Sequence, residues 1–208
     1  MNVTDHPGIQ KLLDYLGLAI PAFPPRFNIA PGASLVVVMA PQGKPELASM
    51  DWGLIPAWAK QPKLLINARR ETIWQKGSFK KLIAAQRVVI PITGFYEWHR
   101  DGTTKTPYYI TPKDAPAFAL AGIYQITPEA ELQCCVITTG SDHDTIMRPI
   151  HDRMPVLLPP GAMTDWLQSQ DKAQLDSLMV SNEPIKATKV SEYVNRASHE
   201  GPECVKPV

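Results

Sequence analysis

Ile9, Leu12, Leu13 and Leu16 recur at i, i+3, i+4 and i+7, which predicts a short amphipathic helix over residues 7–18. Gly17 and the prolines at 21, 24 and 25 stop it. A β-rich middle follows, with strands predicted over 34–40, 46–51, 87–92, 95–100, 107–111, 117–124 and 132–138. Asp101-Gly102 between two aromatic-bearing runs marks a hairpin. Residues 78–85 read as a helix capped by Ser78, and 160–168 and 172–179 as two short late helices. No internal repeat or low-complexity segment interrupts the pattern. Strands outnumber helices and mostly follow one another directly. The expectation is therefore a single α+β domain over 1–208, with a mainly antiparallel, barrel-like β core and short peripheral helices rather than a βαβ sheet.

Composition narrows this picture. The chain has 208 residues, 44% hydrophobic and 20% charged, enough to build a real core and too apolar for disorder. Twenty-one prolines, about twice average usage, argue against long helices and for many turns. The net charge of +1 carries no global signal for nucleic acid or membrane. Cys134, Cys135 and Cys204 make an odd set whose close pair is adjacent within an apolar run; packing on opposite sides of a strand is expected, not a disulfide framework. CxxC-like spacing for zinc is absent. The first residues lack a basic segment followed by an apolar stretch, and no run approaches 18 apolar residues. A cytoplasmic, unanchored monomer without cofactor is the expectation.

Charge is unevenly distributed. Residues 60–87 hold eight basic side chains (Lys60, Lys63, Arg69, Arg70, Lys76, Lys80, Lys81, Arg87) and one acid, Glu71, so this window carries +7 and the remainder −6. A solvated helix face explains such a run. Its interleaving with Trp52, Trp58 and Trp74 also suits single-stranded nucleic acid, which is held by phosphate contacts and base stacking.

Four short stretches place polar or ionisable residues in apolar context, at 26–31, 66–72, 94–98 and 150–155. Glu97, between Tyr96 and Trp98, reads as a partly desolvated general acid or base, or as an outward glutamate on an alternating strand. His151 reads as a proton shuttle or as a loop histidine bonded to backbone. A rival constellation, Asp142, His143, Asp144, His151 and Asp152, offers ligands for a hydrolytic metal, although Asp142 to Asp144 equally resembles a helix cap. No metal is the preferred reading.

Together the stretches resemble the SOS-response-associated peptidase family, whose members sense abasic sites in single-stranded DNA. The resemblance runs through Phe-Asn-Ile-Ala-Pro-Gly at 27–32, Met-Asp-Trp-Gly-Leu-Ile-Pro at 50–56 and Asn-Ala-Arg-Arg-Glu-Thr at 67–72. It continues through Gly-Phe-Tyr-Glu-Trp at 94–98, Ile-Thr-Thr at 137–139 and His-Asp-Arg-Met-Pro at 151–155. It implies a barrel-like α+β fold with a positive DNA groove, no metal, and a covalent mechanism. In that mechanism the initiator methionine is removed to expose a cysteine. Its amine and thiol add to the aldehyde of the ring-opened abasic sugar, giving a thiazolidine. By resemblance, Asn67 holds the N-terminal amine and the sugar, Glu97 handles protons in methionine removal and ring closure, and His151 assists ring opening, imine formation and reversal. Arg69 and Arg153 resemble phosphate-binding residues. Asn28, Pro31, Trp58 and Trp98 match positions that shape the site or contact DNA.

The chain departs from the family at its start. The family begins Met-Cys-Gly-Arg and an apolar residue, whereas this chain begins Met1-Asn2-Val3. None of the three cysteines substitutes, because the chemistry needs thiol and α-amine on one residue. The expectation is that the first residues of the natural protein are missing here and that Asn2 to Asp5 follow the Cys-Gly-Arg segment. The alternative is a variant without the nucleophile, able to bind single strands or to form a reversible imine through its own amine.

Overall fold

A computed structural model describes residues 1–56 and 64–208. Helix α1 (His6–Leu13) begins one residue before the predicted start because Asp5 caps it, its carboxylate accepting from the Gly8 N–H at 3.1 Å. Pro7 lies in the first turn, where a missing N–H costs nothing. The helix tightens into a 3-10 turn, Asp14–Leu16, and stops at left-handed Gly17. Ile9, Leu12 and Leu13 are buried and Leu16 packs beside them, which is the face the spacing predicts.

Strands β1 (Ser34–Met39), β2 (Glu46–Trp52) and β3 (Asn67–Arg69) precede α2 (Lys80–Ala85). Then come β4 (Arg87–Ile92), β5 (Phe95–Asp101), β6 (Thr104–Pro112), β7 (Phe118–Ile126) and β8 (Leu132–Gly140). The chain ends with β9 (Arg153–Pro155), β10 (Leu157–Leu158), α3 (Met163–Gln168), α4 (Lys172–Leu178) and β11 (Ile185–Lys189). All seven predicted strands are present. Ser78, however, does not cap α2: Phe79 holds that position, and the Phe79 and Lys80 N–H groups donate to the Lys76 carbonyl, so a backbone turn supplies what the hydroxyl was expected to supply.

Five strands close a barrel: β1 pairs with β2, β2 with β8, β8 with β7, β7 with β4, and β4 with β1. All these pairings are antiparallel except β2 with β8; β3 also joins β8 in parallel. Alternation sends Val37, Val88, Leu120, Cys134 and Val136 into one apolar cluster and Val38, Val89, Ala121, Cys135 and Ile137 into another. The second cluster includes Ile83, Trp166 and Leu175 from the helices, so it lies outside the barrel and the first fills it. Cys134 and Cys135 therefore serve as opposite-facing packing residues.

A second sheet, β11-β6-β5, covers the barrel cluster through Phe95 and Ile110. Its β5–β6 turn pairs Asp101 with Thr104 and places Gly102 in the left-handed region, as the dipeptide predicts. Gly94, just before β5, is a close-approach glycine: a Cβ there would lie 2.6 Å from the Ile110 carbonyl oxygen. The Gly94 carbonyl accepts from the Asn2 N–H at 2.8 Å, which brings the N-terminal segment alongside β5.

Candidate functional site

A cavity of about 650 Å³ opens where β2, β3, β8 and β9 meet β5, the 28–31 loop and the N-terminal residue. Strand β3 sends Asn67 and Arg69 to it, because two-residue periodicity buries Ala68 between them. Strand β5 contributes Glu97 and Trp98, and the 150–155 stretch contributes His151 and Arg153. Asn28, Pro31, Trp52 and Thr138 complete the walls. The eight described residues to which the family resemblance gives a role, Asn28, Pro31, Asn67, Arg69, Glu97, Trp98, His151 and Arg153, thus border one space, whereas Trp58 lies outside the described residues.

The Met1 α-amine is buried at this cavity and donates to the Ile29 carbonyl at 2.8 Å. Desolvation lowers its pKa to about 5, against the nearby charges of Glu200 and Glu97, which work to raise it. Burial also pushes the Glu97 carboxyl above the usual range, opposed by the charge of His151, the Trp98 N–H and the amine. Both groups are therefore biased toward their neutral forms, a pairing suited to proton transfer near neutral pH. The His151 ring accepts the Arg153 N–H at Nδ1, 3.0 Å away. The same Nδ1 lies 3.2 Å from the Arg153 carbonyl and 3.2 Å from the Asp152 carboxylate, so one donor and two acceptors meet at this ring nitrogen.

Supporting contacts fix the walls. Asn28 is buried and donates to the carbonyls of Val194 and Arg196 at 3.2 and 3.0 Å, so it shapes the site by joining the 28–31 loop to the C-terminal segment. Glu200 fastens the same loop, accepting from the Phe27 N–H at 2.8 Å. Tyr96 donates from its hydroxyl to the Phe27 carbonyl at 2.6 Å. Trp98 donates its indole N–H to Asn195 at 2.7 Å and carries Lys105 Nζ 4.6 Å over its ring. Glu200, Asn195 and Lys105 carry no local signal in the sequence; Thr138 lies within a stretch already singled out.

The basic run divides. Arg87 is buried and Arg70 donates to the Met179 carbonyl at the end of α4; of the run's described members, Arg69 alone borders the cavity. The rival metal constellation is used locally: Asp144 accepts from the Ile146 and Met147 N–H groups, and His143 contacts the Ser181 carbonyl. No group of three metal-ligating side chains occurs among the described residues. Nor does any described helix have the length and apolarity to cross a membrane.

A closed barrel carrying these motifs on its rim is the arrangement of one protein family. The chain matches the SOS response associated peptidase family over residues 6–197, and it belongs to that family. It is 38% identical to the abasic site processing protein YoqW of Bacillus subtilis over 192 residues, covering 87% of this chain and 85% of that one. It is 30% identical to the abasic site processing protein HMCES of Xenopus tropicalis, covering 88% and 66% of the two chains. A crystal structure of a protein from Bacteroides thetaiotaomicron superposes with a TM-score of 0.80 at 27% identity, over 100% of this chain and 98% of that one. Membership and these relatives support abasic-site processing as the activity of this chain's class.

Proposed function

We propose that this protein recognises abasic sites in single-stranded DNA and holds the ring-opened sugar in the cavity beside its N-terminus, where a covalent bond to the protein forms. The observation that carries this reading is the convergence of Asn67, Glu97, His151, Arg69 and Arg153 on one space that also holds a buried, neutral α-amine. The two arginines bind the flanking phosphates. His151 moves the proton that opens the sugar to its aldehyde, and Asn67 orients the aldehyde by hydrogen bonding. The amine lone pair then attacks the aldehyde carbon, and Glu97 protonates the departing oxygen, so that an imine forms and one water leaves. Where the amine belongs to a cysteine, its thiol adds across the C=N bond and its proton passes to nitrogen, closing the thiazolidine. Removal of an initiator methionine ahead of such a cysteine is the peptidase step, with Glu97 again managing protons.

A second reading is favoured by the Met1 amine itself. With its pKa near 5, this amine is unprotonated at neutral pH and can form the imine, although without a neighbouring thiol the bond stays hydrolysable. A denaturing gel of single-stranded DNA with one abasic site tests both. A heat-stable band is expected from a chain extended at its N-terminus by Met-Cys-Gly-Arg and an apolar residue, and a band requiring borohydride reduction from the present chain. Glu97→Ala should remove both bands while leaving affinity for intact single strands nearly unchanged. Salt-sensitive binding without a band under any condition would overturn the covalent reading and leave a noncovalent binder.

A further inference from the structure

The contacts of Arg153 bear on how a phosphate enters the proposed site. Its guanidinium has five N–H groups. The Nη2 pair donates to Thr138, to the carbonyl at 2.7 Å and the hydroxyl at 3.0 Å. Nη1 donates to Glu71 Oε1 at 3.0 Å. Nε is buried and has no partner among the described residues. One Nη1 hydrogen is left for an arriving anion, and the cation that should attract it already has a carboxylate alongside. Glu71 is the single acid in the 60–87 window and sits two residues beyond Arg69, the other cavity arginine. Burial works to raise its carboxyl, but the bonds from Arg153 and its own backbone prevail and hold it below the usual range. It is therefore ionised wherever the protein is folded near neutral pH. The Glu71 side chain is 47% exposed against 20% for Arg153, so it can turn to water without disturbing the core.

We propose that Glu71 is an electrostatic latch on Arg153: it occupies the arginine when the cavity is empty, and a DNA phosphate must displace it to take the Nη1 hydrogen it holds. This inference rests on the single-strand reading above and specifies how the same site is regulated.

The test is single-stranded DNA binding by fluorescence anisotropy at several salt concentrations, with wild type, Glu71→Gln, Glu71→Ala, Arg153→Gln and the double variant Glu71→Gln/Arg153→Gln. Glutamine keeps an acceptor for Nη1 and removes only the charge. Glu71→Gln should bind about two- to fivefold more tightly than wild type, the range a surface ion pair spans. Its salt dependence should be steeper by up to about one phosphate contact. Glu71→Ala should move affinity in the same direction, and in the Arg153→Gln background the gain should vanish. Weaker binding in Glu71→Ala with no change in Glu71→Gln would mark Glu71 as a mere support and overturn the latch. No change in either variant would overturn it as well, while the single-strand reading stands if wild type binds with salt sensitivity. A wild type that binds no single strands would overturn both.

Discussion

The helix-covered wall of the barrel and the cavity at its rim each hold an arginine out of water, and they treat it differently. On the wall, Arg87 is 3% exposed and makes no ion pair with a carboxylate among the described residues. It donates instead to five carbonyls at the ends of two helices: Ile83 and Ala84 in α2, and Trp166, Leu167 and Ser169 at the close of α3, with its shortest contacts at 2.6 Å. These are the carbonyls a helix C-terminus leaves unpaired, and a cation there also meets the negative end of the helix dipole. At the rim, Arg153 has one buried N–H without a described partner and one acid that can leave. A fully satisfied buried cation is part of the scaffold. One that spends a donor on an exposed, displaceable acid beside a cavity fits the phosphate-binding role proposed for Arg153.

The sharpest way to break the comparison is to remove each charge in turn. Arg87→Met leaves the ends of α2 and α3 without donors and should cost about 3–5 kcal/mol in urea unfolding. Arg153→Gln should cost about 1 kcal/mol or less in the same assay yet weaken single-strand binding about tenfold. Equal stability losses in the two variants would show that satisfaction does not distinguish the two regions.

The acid-base pair at the rim makes the next prediction. Between about pH 5 and its ordinary value of 8.0, the unfolded chain carries a proton on the Met1 amine that the folded chain lacks, so stability rises with pH across that window. Glu97 works in the opposite sense, because its folded carboxyl keeps a proton above the ordinary value of 4.5 and loses stability as pH rises past it. Glu97→Gln removes the opposing contribution and should steepen the rise. Urea midpoints at pH 5, 6.5 and 8 measure this, and a midpoint that falls across the series in Glu97→Gln, where the opposing carboxyl is gone, would refute a buried neutral amine.

The smallest effect belongs to the wall. Asp5→Ala removes the cap of α1 and should lower stability by about 1 kcal/mol, with binding to single strands untouched. A loss of binding would show that α1 and the rim are coupled through the N-terminal segment they share.

Much of this molecule was legible in one dimension. The face of α1, the seven main strands, the Gly102 turn and the opposed packing of Cys134 and Cys135 follow from periodicity and turn chemistry, which act over a few residues. The short strands β3, β9, β10 and β11 escaped that reading, because two to five residues carry too little pattern and are strands only where a neighbour pairs with them. The parallel joins of β2 and β3 to β8 likewise have no local code. Ser78 looked like a cap because serine is a good one, yet the chain entered α2 from a turn already bonded through backbone.

The same division holds at the site. The residue types that the proposed aldehyde and phosphate chemistry calls for stand in the sequence in short motifs, which single out Asn67, Glu97, His151, Arg69 and Arg153. Their convergence, the neutrality of the buried amine and the pairing of Arg153 with Glu71 are not in the motifs. They arise from desolvation and from contacts between residues up to 173 positions apart, such as the Glu200 carboxylate that accepts from the Phe27 N–H. Local chemistry is written along the chain, whereas burial and charge pairing depend on the distances between its distant parts, which only closure of the barrel determines.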